Sequence, residues 1–253
     1  MKFAGIIAEY DPFHNGHAWQ LAQAKALGAE RVAVAMSCSL VQRGALPLLP
    51  EAVRTRSALT CGADLVFALP APCACAGAEA FARAGVALLA AAGCDGLVFG
   101  AETPDAALLM EAAELLDSGS YRAALKAQLA GSARSFAAAR QAAAAKLASD
   151  ERVAALLDKP NNNLAVEYCR AIRSLAPRME AYPLPRQGAN HGEALHSAHG
   201  QFASASALRK LWAEGGADAV APYVPEAVFP LYQEAYAAGQ YTDFSAAGRC
   251  ELA

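Results

Sequence analysis

The sequence predicts an α/β fold: a parallel sheet with helices on both faces, a helical insertion and a short C-terminal helical tail. Three observations carry this. Apolar runs of strand type alternate with helix-spaced segments through the first hundred residues. Glycines at 28, 62 and 93 close the helical segments. Polar loops follow the first, second and fourth strand runs, which places all three at one edge of the sheet.

The elements follow in order. Residues 3–9 form a strand apolar on both faces, as a central parallel strand requires. A helix runs over 15–28, with Gly28 at its end. Strand 31–36 leads to an aperiodic stretch, 37–49, that carries Gln42-Arg43-Gly44. Helix 50–61 ends at Gly62, and strand 64–69 is stopped by Pro70 and Pro72. Helix 79–92 and strand 96–99 follow. From Thr103 to Leu157 the pattern is almost continuously helical and rich in alanine, divided at Ser118-Gly119-Ser120. We read it as an insertion. Asp158–Asn163 reads as a capped turn, with a helix over 164–176 and a fifth strand over 179–184. Residues 185–200 read as a loop, and Ser204–Arg209 opens another helix. After Gly215 the chain reads as a loose tail. The expected division is therefore 1–215 as the main domain, with 103–157 inserted, and 216–253 as the tail.

Net charge is −3 and the pI about 6.0, so any polyanion must meet a local basic patch rather than bulk charge. Charged residues make up only 18% while hydrophobic ones reach 55%, which excludes a disordered chain. No apolar run is long enough to span a bilayer, and no secretory signal is visible; the expectation is a cytoplasmic protein without a membrane partner. The seven scattered cysteines read as reduced core residues. Cys73 and Cys75 have the wrong spacing for a zinc knuckle or redox pair.

The chemistry concentrates in Gly5–His17. A strand delivers His14-Asn15-Gly16-His17 to a helix start. Three-residue spacing puts both imidazoles on one helix face, Gly16 removes a Cβ from the approach, and free N–H groups favour phosphate there. The bland reading is that one histidine caps the helix and the other packs. Ser204-Ala205-Ser206 with Arg209 outlines a second anion site, or an ordinary cap with a surface arginine. Arg54 and Arg56 read as solvated charge, with phosphate or RNA contact as the alternative. Trp19 and Trp212 read as packing residues. His191, His196 and His199 read as part of a substrate-side loop rather than a metal centre.

Taken together, Gly5–His17, Met36-Ser37, Gln42-Arg43-Gly44, Gly62–Val66, Phe99–Glu102, Pro160–Asn162, Glu167-Tyr168, Arg186-x-Gly188-Ala189 and Ser204–Arg209 resemble the signature of the bacterial tRNA(Met) cytidine acetate ligases. These belong to the nucleotidylyltransferase superfamily. The resemblance implies a Rossmann-like nucleotidylyltransferase fold. It implies a ligase that adenylates acetate with ATP and passes the acetyl group to N4 of the wobble cytidine of elongator tRNA(Met). It implies His14 and His17 as catalytic residues at the α-phosphate. ATP contacts would come from Ile7, Ala8, Glu9, Tyr10, Pro12, Phe13, Gly16, Gln20, Gly100, Asn161 and Arg186. Ser204, Ser206 and Arg209 would hold the departing phosphates, with Mg²⁺ bridging them. The sequence departs from that pattern in several places. Asp11 replaces Asn, Cys38-Ser39-Leu40 replaces Gly-Asn-Phe, Ala45-Leu46 replaces Glu-Pro, and Pro50-Glu51-Ala52 replaces Asp-Lys-Trp. The chain ends at Ala253, near where family members begin a further C-terminal segment. An adenylyltransferase with another small carboxylate or acceptor, and a nucleotide- or RNA-binding protein without turnover, are the alternative readings.

Overall fold

The structure is a computed structural model that describes residues 1–41, 44–131, 135–186, 195–197 and 200–244. Five parallel strands form one sheet: β1 (Phe3–Ala8), β2 (Arg31–Ser37), β3 (Leu65–Leu69), β4 (Gly96–Ala101) and β5 (Glu180–Pro185). Their order is β3-β2-β1-β4-β5. The chain steps outward from β1 through β2 to β3, then returns to the other side of β1 with β4. That reversal opens a crevice between the carboxyl ends of β1 and β4, where parallel sheets bind ligands.

Alternation along the strands builds two cores. Ala33 and Ala35 of β2 and Leu97 and Phe99 of β4 face one side. Val32, Val34 and Met36, with Ile6 of β1 and Val98 of β4, face the other. The first side is covered by α4 (Ala78–Ala91) and α9 (Pro160–Leu175), the second by α1 (Asn15–Ala26) and α2 (Glu51–Thr60). Contact with α4 is close. A Cβ on Gly85 would lie 2.5 Å from Ile7 Cδ1.

Several boundaries differ from the sequence reading. Strand β3 is followed by a one-turn helix, α3 (Ala71–Ala74), because proline fits the first helical positions. The 103–157 region resolves into α5 (Ala106–Asp117), α6 (Gly119–Ala130), α7 (Phe136–Leu147) and α8 (Glu151–Leu156). Ser118 ends α5 and caps α6, while Ser135 and Asp150 cap α7 and α8. Helix α9 begins at Pro160, so Asn161–Asn163 lie in its first turn rather than before it. The stretch read as a loop over 185–200 contains strand β6 (Leu195–Ser197), which pairs antiparallel with β7 (Gly200–Phe202).

The largest difference is after Gly215. Helix α10 (Ala205–Val220) kinks at Gly215-Gly216 and continues; α11 (Phe229–Ala237) follows a 3₁₀ turn at Ala221–Tyr223. Gly216 has φ +67°, and a Cβ there would strike the Tyr236 ring at 2.6 Å. This segment is no loose tail: Val220, Val228, Tyr232 and Ala235 are buried in the second core. The Tyr232 hydroxyl donates to the Phe13 carbonyl at 2.6 Å, and Thr242 bonds Pro47 and Leu48. No helix among the described residues is long and apolar enough to cross a membrane.

Candidate functional site

The turn after β1 is held by buried contacts on several sides. Tyr10 and Phe13 are buried, with ring centroids 4.9 Å apart, and Tyr10 takes a left-handed φ of +51°. Buried Asp11 accepts the Leu48 N–H at 2.6 Å. Arg54, read from sequence as solvated, is 0% exposed. Its guanidinium donates to the carbonyls of Glu9 (2.7 Å), Ser37 (2.6 Å), Leu49 (2.9 Å) and Cys38. One side chain thus ties the carboxyl ends of β1 and β2 to the 47–50 loop. A carbonyl left without its donor there costs about 1–3 kcal/mol. Arg56 does remain exposed, opposite Glu234 at 3.8 Å.

On this floor stand the two histidines. His14 is the N-cap of α1, and its Nδ1 accepts the Gly16 N–H at 3.0 Å. His17 Nδ1 reaches back to accept the His14 N–H at 3.3 Å, completing a reciprocal capping box. The rings stack with centroids 3.7 Å apart. A Cβ on Gly16 would lie 2.9 Å from His14 Cε1, so this glycine makes room for the capping ring. Each ring keeps an edge on the cavity while its body packs, His17 against Tyr10 at 4.8 Å. Burial first, then the charge of Arg186, pulls His14 down to about 3. Burial, then His14 and Arg186, holds His17 well below the ordinary value. Both are neutral at physiological pH. With Nδ1 accepting a backbone N–H in each, the proton sits on Nε2. Capping, the bland reading of these residues, is what sets the tautomer.

The opposite wall comes from β4, β5 and α9. Glu102, just beyond β4, reaches the start of α9. It accepts from the backbone N–H groups of Asn161 (3.2 Å) and Asn162 (2.7 Å) and from Asn161 Nδ2 (2.6 Å). A carboxylate on an otherwise uncapped helix N-terminus is favourable. It also orients the Asn161 amide, whose Oδ1 accepts from Arg186 Nη1 at 2.6 Å. Asn162 completes the join through Thr103. Gln20 is fixed by its bond to the Val98 carbonyl at 3.1 Å.

Between the walls lies a cavity of about 300 Å³ at the crevice between β1 and β4. Of the residues expected from sequence, it brings together Ile7, His14, Gly16, His17, Gln20, Gly100, Asn161, Arg186 and Ser204. It does not bring in Ala8, Glu9, Tyr10, Pro12 or Phe13, of which Tyr10, Pro12 and Phe13 are buried. Ser206 sits 3.0 Å from Ser204 and outside the lining. Arg209 turns away to Asp11, donating to its carbonyl at 2.6 Å and its carboxylate at 3.0 Å. The lining adds Trp19, Phe99, Leu164 and Tyr168. Trp19 packs partly buried against the second core and also lines the cavity, while Trp212 is buried among Tyr232, Tyr236 and Tyr241. Arg186 is the one formally charged residue of the lining among the described residues. No cluster of three His, Cys, Asp or Glu suited to a metal occurs among them. Gln42, Arg43, Gly188, Ala189, His191 and His199 lie outside the described residues.

The chain as a whole resembles known proteins. The chain is 41% identical to a tRNA(Met) cytidine acetate ligase of Syntrophotalea carbinolica over 218 residues, covering 85% of this chain and 52% of that protein. It is 35% identical to a protein of the same name from Caldanaerobacter subterraneus, covering 95% and 60%. It therefore spans about half to three-fifths of the length of these relatives. The crystal structure of Thermotoga maritima TmcAL bound with alpha-thio ATP superimposes with a TM-score of 0.85 at 30% identity, over 95% of this chain and 57% of that one. A family model described as HIGH Nucleotidyl Transferase matches residues 1–250. The chain belongs to the HIGH nucleotidyl transferase family.

Proposed function

We propose that this chain binds ATP in the β1–β4 cavity and adenylates acetate there. The activated acetyl group would then pass to N4 of the wobble cytidine of elongator tRNA(Met), with AMP as the leaving group. The observation that carries the proposal is the stacked histidine pair, which offers two neutral Nε2–H donors at a helix N-terminus. Such donors suit an α-phosphate on which negative charge builds. The relative crystallised with alpha-thio ATP, and the names of the curated relatives, support the same reading.

In this reading a carboxylate oxygen of acetate attacks the α-phosphorus, the α–β bridging bond breaks, and pyrophosphate leaves. The protein positions and stabilises charge. Ile7, Gly16, Gln20, Gly100 and Asn161 line the nucleotide's bed. Arg186, held by Asn161, supplies the fixed positive charge, and Ser204 faces the phosphates. Arg209 and Ser206 join only if Arg209 leaves Asp11. Mg²⁺ would screen the phosphates when bound. Among the described residues no carboxylate lines the cavity to hold the ion. Acceptance of tRNA rests on the relatives' names, over the part of their length that this chain spans. A cytoplasmic setting fits the six free cysteines among the described residues.

Acetate-dependent exchange of labelled pyrophosphate into ATP tests the adenylation step. Exchange with another acid but not acetate would overturn the acetate assignment. A low-salt gel shift with elongator tRNA(Met) tests the acceptor. A second reading, nucleotide binding without turnover, is favoured by one observation, the Arg209–Asp11 pair. Tight ATP binding with no exchange for any acid selects it.

A further inference from the structure

A second cavity, of about 890 Å³, lies on the other face of α9 and shares no lining residue with the first. Helices α4, α5, α6, α7 and α9 enclose it. Helix α9 connects the two: Leu164 and Tyr168 face the first cavity, Glu167 and Arg170 the second. From Asn161 to Ser174 along the helix is about 20 Å.

Its charges sort into two sets. Glu167, Asp117 and Glu79 are all engaged: Glu167 with Arg140 and Arg170 at 2.7 Å each, Asp117 and Glu79 with Arg170 at 2.8 and 3.6 Å. Arg173 also approaches Asp117, at 3.8 Å. This network accounts for every carboxylate of the lining. Among the described residues, Arg83 and Arg122 have no carboxylate partner. Arg83 is held by the Ser174 hydroxyl at 3.2 Å, and Arg122 by the carbonyls of Asp117 (2.9 Å) and Ser118 (3.4 Å). Neutral acceptors orient both guanidiniums and leave their charge whole. An aromatic platform accompanies them: Phe136, on the first turn of α7, is 60% exposed at the cavity, with Leu125 and buried Tyr121 beside it. Two free guanidiniums and an open aromatic face in one cavity suit a ligand with an anionic oxygen group and a flat ring.

We propose that this second cavity binds a nucleotide unit, with its phosphate at Arg83 and Arg122 and its base against Phe136. The unit can come from a single-stranded RNA segment or a free mononucleotide; the chemistry is shared. Nothing in this inference depends on adenylation in the first cavity.

The test uses the chain as it stands, with two probes: a fluorescein-labelled ten-nucleotide single-stranded RNA by anisotropy, and labelled AMP by equilibrium dialysis. R83E/R122E is expected to weaken one or both at least about tenfold. For RNA, the salt dependence of log K should become shallower by about 0.7, the contribution of one phosphate contact on a single strand. Phe136→Ala should weaken the same probe by itself. R83Q/R122Q removes charge with less perturbation, and thermal melting verifies the fold of each variant. The His17-dependent part of ATP binding should stay unchanged throughout. Loss of the RNA probe alone assigns the site to a strand, and loss of AMP alone to a free nucleotide. If both probes bind all variants as they bind the parent chain, or respond only to His17→Ala, the proposal fails. Failure of the first site would appear separately, as ATP binding indifferent to His17.

Discussion

The molecule contains two helix starts rich in polar side chains, and they end in opposite conditions. At α1, the capping atoms are the Nδ1 nitrogens of His14 and His17, and the Nε2–H groups on the far side of each ring stay available. At α10, Ser204 caps with its only side-chain oxygen, Ser206 bonds Ser204, and Arg209 is spent on Asp11. A residue with two polar ends can hold the backbone and still face a ligand. A residue with one must choose, or share. The first turn is thus prepared for chemistry before any ligand arrives, whereas the second needs a rearrangement.

The sharpest break of this comparison is His17→Ala. It removes one prepared donor and the partner that caps His14, and pyrophosphate exchange should fall by about a hundredfold or more. Retained exchange would mean the first turn is only structural. Next comes pH. An unfolded histidine takes up its proton near 6.5, and folded His14 only near 3. Between those values the unfolded state binds more protons, so stability is full above pH 6.5 and is lost as pH falls toward 3. Melting temperature measured from pH 7 to 4 should drop more steeply for the parent chain than for His14→Gln, which keeps an acceptor for Gly16. Parallel curves would refute the neutral pair. Third, Glu102→Gln weakens the charge at the start of α9 and unfixes Asn161. Stability should drop by about 1 kcal/mol, with looser ATP binding read by calorimetry. Smallest is Asp11→Asn. The amide oxygen can still accept from Leu48, but the charge that holds Arg209 is gone. ATP affinity should rise a few-fold, for a pair worth roughly 1 kcal/mol. A fall would show that Arg209 serves better where it is.

The order of elements through β4 was legible because strong local signals coincide there: apolar runs on both strand faces, then glycines with left-handed φ at 28, 62 and 93. The histidine turn was legible for the same reason. What the sequence hid depends on distant partners. Glu102 stood out within a motif, but its role needs Asn161, 59 residues away. An arginine on a short helix reads as solvated, and only the convergence of β1, β2 and the 47–50 loop makes Arg54 a buried clamp. The three asparagines after Pro160 read as a turn because local propensity cannot count a cap supplied from β4. Trp19 reads as a packing residue and does pack against the second core; only the crevice between β1 and β4 shows that it also lines the cavity.

The bond from Tyr232 to Phe13 joins residues 219 apart. It sets the order in which the molecule can mature. During synthesis the sheet can assemble from its first two hundred residues, but the turn that presents the histidines gains its last support only when α11 has left the ribosome and docked. Contacts of such sequence separation are slow to form. A nascent chain would thus carry a finished sheet and an unfinished nucleotide pocket. The pocket would become fully competent only near the end of synthesis of the residues seen here.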